Sequence, residues 1–338
     1  PELELKYCAH PREFWEQISA CRKGSKILVD EIQKVPSLLN YIQMGIDRKQ
    51  YQCILSGSSA GKLKRGGANL LGGRALDMKL HPLTSVEAGK DFSISNVLQY
   101  GSLPLIFSLV LEEKIDLARS YLKSYETTYI KEEIQAEALI RNIGSFQRFL
   151  AIAAQSNAQT IEFANISRES AVPASTVKEY YQILEDTLLG FFLWPYNRNE
   201  RMKMRPRFYF FDCGVVRGLQ NRLIDPPQTH ELGFLFETWF IGELHRLRDY
   251  FQKPHTFSFW REHTNEIDCI ITGRNGPICA FEIKSGKEKL SSATIRKFKD
   301  RFPGVPLFVA SLKDDIPRHA DGIDILPFQS ALERYMGI

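Results

Sequence analysis

The segment KILVDEI, at residues 26–32, is a short apolar run that ends in two adjacent acids, Asp30 and Glu31. Such a run is typical of a buried strand, and the stretches on either side of it have the amphipathic pattern of helices. A second short apolar run follows at residues 53–55. Strands that alternate with helices indicate a parallel α/β sheet. The sequence therefore predicts an α/β domain at the start of the chain, with a third strand at residues 75–80.

The composition of the chain excludes several classes of protein. Hydrophobic residues make up 43% and charged residues 25% of the 338 positions, which are ordinary values for a folded protein and exclude disordered, collagenous and coiled-coil classes. No apolar run approaches the roughly 18 residues that a membrane helix needs, and the N-terminal sequence lacks the features of a signal peptide. The six cysteines form no CxxC pair, which favours reduced thiols. We therefore expect a cytoplasmic protein with no membrane partner.

The spacing of apolar residues changes along the chain and divides it into domains. At roughly 100–200 residues per domain, the length predicts two or three of them. From about residue 112 to residue 189 the period is helical almost throughout, and from residue 232 a long helix, three strands, a helix and a further strand are expected. We predict domains at residues 1–108, 109–215 and 216–338, of which the first and last are α/β and the second is helical.

In nucleotide hydrolases, a strand that ends in Asp-Glu is a Walker B motif. The first acid, Asp30, would hold Mg²⁺, and the second, Glu31, would polarise the attacking water. The next strand leads into LSGSSAGKLKRGGANLLGGRA at residues 55–75. There, Ser56 or Ser58 would sense the γ-phosphate, and Arg74 would act on the nucleotide of a neighbouring subunit as an arginine finger. The alternatives are solvated acids at a strand end and a surface arginine.

The chain lacks the other half of such a nucleotide site. No GxxxxGK(S/T) sequence occurs in the 338 residues, so nothing in them cradles the β- and γ-phosphates. Because the phosphate loop normally precedes Walker B, it is expected upstream of Pro1. This fragment alone is therefore expected to bind ATP weakly or not at all.

Several long motifs together resemble one protein family. VDEIQKVPSLLNYI at residues 29–42, the segment at 55–75 and HPLTSVE at 81–87 are similar to the AAA-type P-loop ATPases of prokaryotes whose C-terminal domain is uncharacterised. RSYLKSYETTYIKEEIQAEALIRNIGSFQRFLAIAA at 119–154 and STVKEYYQILEDTLLGFFLWPY at 175–196 resemble the middle region of that family. The resemblance implies a partial AAA-type ATPase sheet, with ATP and Mg²⁺ or Mn²⁺ as cofactors. An arginine finger would further imply a homo-oligomeric ring or spiral.

The segment ISRESAVPASTVKEYYQIL, at residues 166–184, has the form of a helix-turn-helix. Two predicted strands, at 190–195 and 208–211, flank the basic run RNERMKMRPR at residues 198–207 like the wing of a winged helix. If the unit binds DNA, its second helix would face a groove and the wing would contact phosphates. A protein-interaction module or an ATPase lid is the alternative. The predicted DNA-binding residues are Ser175, Thr176, Lys178, Arg198, Arg201, Lys203, Arg205 and Arg207.

The C-terminal domain carries acids and a lysine at strand spacing. Asp268 lies in EIDCII, and Glu282 and Lys284 lie in CAFEIKSG. Residues two apart on a strand face the same side, so two neighbouring strands would bring these groups to one point, with Glu237 of the preceding helix above them. Glu237, Asp268 and Glu282 would then bind Mg²⁺ or Mn²⁺, and Lys284 would act on water or a phosphate oxygen.

This D…ExK pattern resembles the restriction-endonuclease-like superfamily, whose motif is PD-(D/E)xK. The predicted fold is therefore a multidomain α/β protein with a partial AAA-type sheet, a winged-helix-like middle and a restriction-endonuclease-like C-terminal domain. The predicted function is an ATP-dependent, DNA-binding or DNA-processing ATPase. The intact protein would hydrolyse ATP, and metal-dependent DNA cleavage is left open. The alternative is a regulatory ATPase switch whose C-terminal domain is an inactive module that docks DNA or protein.

Overall fold

The computed structural model describes residues 2–57, 75–125, 142–196, 205–286 and 290–338. The chain divides into two units. The first unit consists of Pro1–Met78 and Ile183–Leu188, and the second of Lys79–Gln182 and Leu189–Ile338. Among the described helices, none is both long and apolar enough to cross a membrane.

Residues 2–57 of the first unit form a two-stranded parallel sheet and three α-helices. Its elements are α1 (Glu2–Ala9), α2 (Pro11–Ser19), β1 (Ser25–Val29), a 3₁₀ turn (Ile32–Lys34), α3 (Leu38–Asp47) and β2 (Tyr51–Leu55). Strands β1 and β2 pair in parallel, with Ile27 opposite Cys53, as the sequence predicted. Phe14, Ile18 and Ile42 form part of the buried core.

The prediction of a strand at residues 75–80 is wrong, because this segment does not form a strand in the structure. Its apolar side chains alternate along the sequence, but Leu76 and Leu80 are 83% and 92% exposed. Alternation produces a strand only where one face is buried and a neighbouring strand pairs with it.

The second unit begins with helices and ends in a large sheet. Among the described residues, its helices before the sheet are α4 (Ser85–Ala88), α5 (Ile94–Tyr100), α6 (Pro104–Leu111), α7 (Ile115–Ser124), α8 (Ile143–Gln155), α9 (Phe163–Ser170) and α10 (Ala174–Asp186). The last four residues of α10 belong to the first unit. A 3₁₀ turn at Gly89–Asp91 follows α4. The remaining elements are β3 (Gly190–Pro195), β4 (Arg207–Phe210), α11 (Cys213–Leu219), α12 (Thr229–Tyr250), β5 (Thr256–Glu262), β6 (Asn265–Gly273), β7 (Gly276–Lys284), α13 (Ser292–Arg301), β8 (Leu307–Ser311), β9 (Arg318–Ala320), β10 (Ile323–Pro327) and α14 (Phe328–Met336).

Eight strands of this unit form one sheet in the order β4-β3-β5-β6-β7-β8-β10-β9. The three strands β5, β6 and β7 are antiparallel, and β8 then pairs with β7 in parallel. Strands β3 and β4 pair with each other in antiparallel fashion, and β3 continues the sheet by pairing with β5. The strands expected in the middle domain therefore belong to the same sheet as the C-terminal strands. The domain boundaries at residues 108 and 215 stay predictions.

Apolar side chains cover both faces of this sheet. On one face, Trp239 and Phe240 of α12 lie in the same buried cluster as Phe281 of β7. On the other face, Phe298 of α13 lies in a second cluster with Trp260 of β5. The central strands are thus buried on both sides, which is why any charged side chain on β6 or β7 needs partners close by.

Candidate functional site

In the first unit, the Walker B-like acids lie at the carboxyl end of the two-stranded sheet. Asp30 and Glu31 directly follow β1, and Ser56 directly follows β2. Because the strands are parallel, these ends meet at one edge. The Ser56 hydroxyl donates a hydrogen bond to Oδ1 of Asp30, and the backbone N–H of Glu31 donates to Oγ of Ser56 over 3.3 Å. The structure therefore brings Asp30, Glu31 and Ser56 together, whereas Ser58 and Arg74 lie outside the described residues.

The turn at Glu31 has an unusual backbone. Its φ is 55°, in the left-handed region that non-glycine residues rarely adopt. Oε2 of its side chain accepts a hydrogen bond from Nε2 of Gln33 over 2.7 Å and lies 3.9 Å from Nζ of Lys34. The carboxylate of Glu31 is thus half-exposed at the end of β1 and held by two neighbouring side chains.

In the second unit, four carboxylates come together on β6, β7 and α12. Asp268 and Glu266 lie on β6, Glu282 lies on β7, and Glu237 lies on α12. Cys269 and Phe281 are paired in the antiparallel ladder, so Asp268 and Glu282 occupy the next positions of adjacent strands. Oδ2 of Asp268 accepts a hydrogen bond from the backbone N–H of Ile283 over 2.9 Å. The structure therefore places Glu237, Asp268 and Glu282 close together, as the strand spacing predicted.

The lysine of the D…ExK pattern also lies in this cluster. Nζ of Lys284 is 2.9 Å from Oε1 of Glu282. The second oxygen of Glu282, Oε2, is buried and has no hydrogen-bond partner among the described residues. Burial, and then the charge of Asp268, raise the pKa of Glu282 to about 8. Burial also raises the pKa of Glu237 to about 7, although the charge of Arg207 opposes the shift.

Arg207, which the sequence analysis assigned to an exposed basic wing, lies inside the carboxylate cluster. Nη1 of Arg207, at the start of β4, is 2.5 Å from Oε1 of Glu237 and 3.1 Å from Oδ1 of Asp268. Its Nη2 pairs with Glu266. The guanidinium also lies over the ring of Phe259, with Cζ 5.2 Å from the ring centroid. Arg207 is only 7% exposed.

The prediction that Arg207 contacts DNA from an exposed wing is therefore wrong for this structure. The guanidinium is buried and paired with three carboxylates, so it cannot reach a phosphate. Arg205, two residues earlier, is exposed and pairs with Glu162. The remaining wing residues, Arg198, Arg201 and Lys203, lie outside the described residues, and their roles stay predictions.

The geometry does not fit a divalent metal as it stands. In the parts of the chain that the structure describes, no group of three or more His, Cys, Asp and Glu side chains could hold a metal ion. A magnesium ion needs its ligand oxygens at about 2.1 Å from one point, but the nitrogen Nη1 of Arg207 lies between the oxygens of Glu237 and Asp268. The arrangement can therefore hold a guanidinium, and no metal-dependent step follows from it.

The prediction from the sequence also missed a tyrosine, Tyr209, that belongs to this cluster. The hydroxyl of Tyr209 donates a hydrogen bond to Oε1 of Glu237 over 2.6 Å, and it lies 3.4 Å from Nη1 of Arg207. The signal that could have found it is the alternation in RFYF at residues 207–210, which puts Arg207 and Tyr209 on one side of β4.

The predicted helix-turn-helix is formed by α9 and α10. Val177 and Tyr181 are fully buried, whereas Ser175 and Lys178 are exposed and Thr176 is half-buried. Nζ of Lys178 lies 5.5 Å from the centroid of the Phe163 ring. The antiparallel pair of β3 and β4 follows α10 in the sequence, where a wing is expected. DNA contact by Ser175, Thr176 and Lys178 stays a prediction.

Three segments match known protein families. Residues 2–88 match an AAA domain, residues 92–223 match a domain of unknown function (DUF8612), and residues 232–331 match another domain of unknown function (DUF4143). Together, the first and last matches support an AAA-type ATPase family. No curated protein and no solved structure matches the chain.

The AAA domain includes Asp30, Glu31 and Ser56 and indicates an ATPase that uses a nucleotide, typically with Mg²⁺. The carboxylate cluster, in contrast, draws its residues from two different matches. Its carboxylates lie within residues 232–331, whereas Arg207 lies within residues 92–223. The arginine and its partners therefore come from segments that are described separately as domains.

Proposed function

We propose that this AAA-type ATPase acts on DNA and that its C-terminal domain has a restriction-endonuclease-like architecture. The observation that carries the proposal is the convergence of Asp268, Glu282 and Lys284 on adjacent strands. These strands belong to the succession α12, β5, β6, β7, α13 and β8, in which three antiparallel strands between two helices are followed by a parallel one. That succession supports the resemblance to the superfamily that carries the D…ExK pattern.

For the ATPase, we propose that Asp30 binds Mg²⁺ and that Glu31 polarises the attacking water. The hydrogen bonds from Ser56 to Asp30 and from Glu31 to Ser56 support a shared site at this strand edge. In a protein that includes a phosphate loop, Glu31→Gln should leave ATP binding intact and abolish turnover. Equal hydrolysis by the variant and the wild type would reject the role of Glu31.

For DNA, we propose that the exposed start of α10 contacts the nucleic acid. Ser175 and Lys178 are exposed there, and Thr176 is half-buried. The test is fluorescence anisotropy with labelled duplexes of different sequence over a range of salt concentrations. Lys178→Ala should reduce affinity similarly for all duplexes and flatten the slope of log K against log salt by about 0.9 if the contact is to a phosphate.

The matched control for this experiment is Arg12→Ala on α2, which removes another exposed positive charge. It should leave both the affinity and the salt slope unchanged. Equal losses in the two variants would mean that net charge, and not the helix-turn-helix, determines binding. Unchanged binding by Lys178→Ala would reject the contact.

A second candidate function is favoured by Arg207. With its guanidinium paired to Glu237, Glu266 and Asp268, the C-terminal domain would dock DNA or protein without cleaving, and the ATPase would act as a regulatory switch. A plasmid-nicking assay in Mg²⁺ and Mn²⁺ separates the two candidates. Nicking that Asp268→Asn abolishes would favour DNA processing, whereas no nicking by a protein that binds DNA would favour the switch.

We further propose that the intact protein assembles as a homo-oligomeric ring or spiral, since an arginine finger acts across a subunit boundary. Arg74, the residue that would do so, lies outside the described residues. Sedimentation velocity with and without ATP is the test, and a protein that stays monomeric with bound nucleotide would reject the assembly.

A further inference from the structure

The charge balance of the carboxylate cluster depends on Arg207. Glu237, Glu266, Asp268 and Glu282 face three basic groups, which are Arg207, Arg261 and Lys284. Arg261 pairs with Glu266 and Lys284 pairs with Glu282. Arg207 is therefore the cation that Glu237 and Asp268 share.

The position of the shared nitrogen resembles that of a bridging metal ion. Nη1 of Arg207 contacts one oxygen of Glu237 and one oxygen of Asp268, from α12 and β6 respectively. These are two of the three elements, α12, β6 and β7, that carry the predicted metal ligands Glu237, Asp268 and Glu282. A guanidinium is permanently charged and offers several donors in one plane, so it can satisfy carboxylates from several directions at once.

Arg207 is also fixed in this position by its surroundings. Its backbone pairs with Leu193 of β3 and forms a bridge to Thr160. Its side chain lies between the carboxylates and the ring of Phe259. A metal ion that enters the cluster must therefore displace a side chain held by the sheet, by an aromatic ring and by three ion pairs.

From this geometry we propose that Arg207 takes the place of the divalent cation and excludes metal from the cluster. The proposal rests on the nuclease-like architecture proposed above. It adds that Arg207 controls metal binding by the carboxylate cluster of that domain. Arg207 is then the residue that determines whether the C-terminal domain binds a metal ion. Its replacement by a neutral residue should convert the cluster into a site for Mn²⁺, because Glu237 and Asp268 would lose their shared counter-ion next to the unpaired oxygen of Glu282.

The test is calorimetric titration of the full chain with Mn²⁺, without nucleotide or DNA. Asp268→Asn provides the background, because it removes one carboxylate of the cluster and leaves Asp30 of the AAA domain intact. The wild type should give the same heats as Asp268→Asn. Arg207→Gln should show an additional Mn²⁺ binding event that the wild type lacks, and Arg207→Gln/Asp268→Asn should lose that event.

The matched control is Arg205→Gln, which removes the same charge at an exposed position two residues away. It should behave as the wild type, and a gain of Mn²⁺ binding by this variant would overturn the proposal. Binding by the wild type that Asp268→Asn removes would also overturn it, and this comparison needs no variant of Arg207. A folded Arg207→Gln, as judged by near-ultraviolet circular dichroism, that gains no binding would overturn it too. Because the experiment contains neither DNA nor ATP, its failure leaves those two proposals untouched.

Discussion

Replacing Arg207 by Met should destabilise the second unit far more than an exposed ion pair would. The substitution keeps much of the apolar stem that lies against Phe259 but leaves Glu237 and Asp268 buried without their shared cation. Loss of one partner from a buried ion pair costs about 3–5 kcal/mol of unfolding free energy. Two features favour the lower end of this range. Tyr209 still donates to Glu237. Burial already raises the pKa of that carboxyl to about 7 against the charge of Arg207, so without the arginine it can take up a proton.

The assay is urea unfolding followed by tryptophan fluorescence in a Trp15→Phe background. The chain has four tryptophans, and Trp194, Trp239 and Trp260 all lie in the second unit, so the background variant restricts the signal to that unit. Arg207→Met should lower the midpoint without changing the slope m.

Two comparisons make this prediction specific. Arg205→Met, which removes the exposed partner of Glu162, should cost no more than about 1 kcal/mol. Adding Glu237→Gln to Arg207→Met should recover part of the loss, because the two residues are coupled through one ion pair. A cost for Arg207→Met no larger than that for Arg205→Met would show that the buried carboxylates do not need the arginine.

Two further predictions concern polar side chains of the second unit. His245 lies between the rings of Phe191 and Phe257, its Nε2 has no hydrogen-bond partner among the described residues, and burial lowers its pKa well below the usual value. Only the unfolded chain then takes up a proton on this imidazole. The unfolding free energy of the wild type, relative to that of His245→Phe, should therefore fall by about 1.4 kcal/mol per pH unit below pH 6.5. Parallel plots of unfolding free energy against pH for the two proteins would contradict this. Asp212 accepts hydrogen bonds from the backbone N–H groups of Ser102 (2.7 Å) and Val215 (3.1 Å) at the start of α11. Asp212→Ala should therefore cost about 3 kcal/mol in urea unfolding, and a cost below about 1 kcal/mol would show that other groups replace these bonds.

The elements that the sequence predicted best are those with a strong local pattern. Strands β1, β2, β5, β6 and β7 are apolar runs bounded by turn residues, and α12 is a single long helix. The length of each apolar run and the spacing of its apolar residues were therefore enough to predict them. Strands β9 and β10 and helix α14 were missed. β9 has only three residues, and β10 lies between β9 and β8, its two neighbours along the chain, in a segment to which the sequence analysis assigned no element. The strand expected at residues 75–80 failed for the opposite reason, since its local pattern has no partner in the described structure.

The candidate site was predictable in one part only. The spacing of two residues in EID and EIK places acids and lysine on common faces of β6 and β7, and that geometry needs no knowledge of distant contacts. Arg207 was assigned to a basic surface run because five basic residues lie within residues 198–207. Its actual partners are 30 and 61 residues away in the sequence, and only the joining of β3 to β5 brings them to it. Local charge patterns carry no information about such contacts.

Anomalous X-ray diffraction from crystals of the full chain grown or soaked with Mn²⁺ shows directly whether Arg207 or a metal ion occupies the cluster. Because Arg207 occupies the space between Glu237 and Asp268, we expect no anomalous peak there, and continuous density for its guanidinium in contact with both carboxylates. Crystals of Arg207→Gln, treated in the same way, should show a peak at that position. A manganese peak among Glu237, Asp268 and Glu282 in the wild type, with Arg207 turned away, would contradict the claim that this arginine takes the place of the cation.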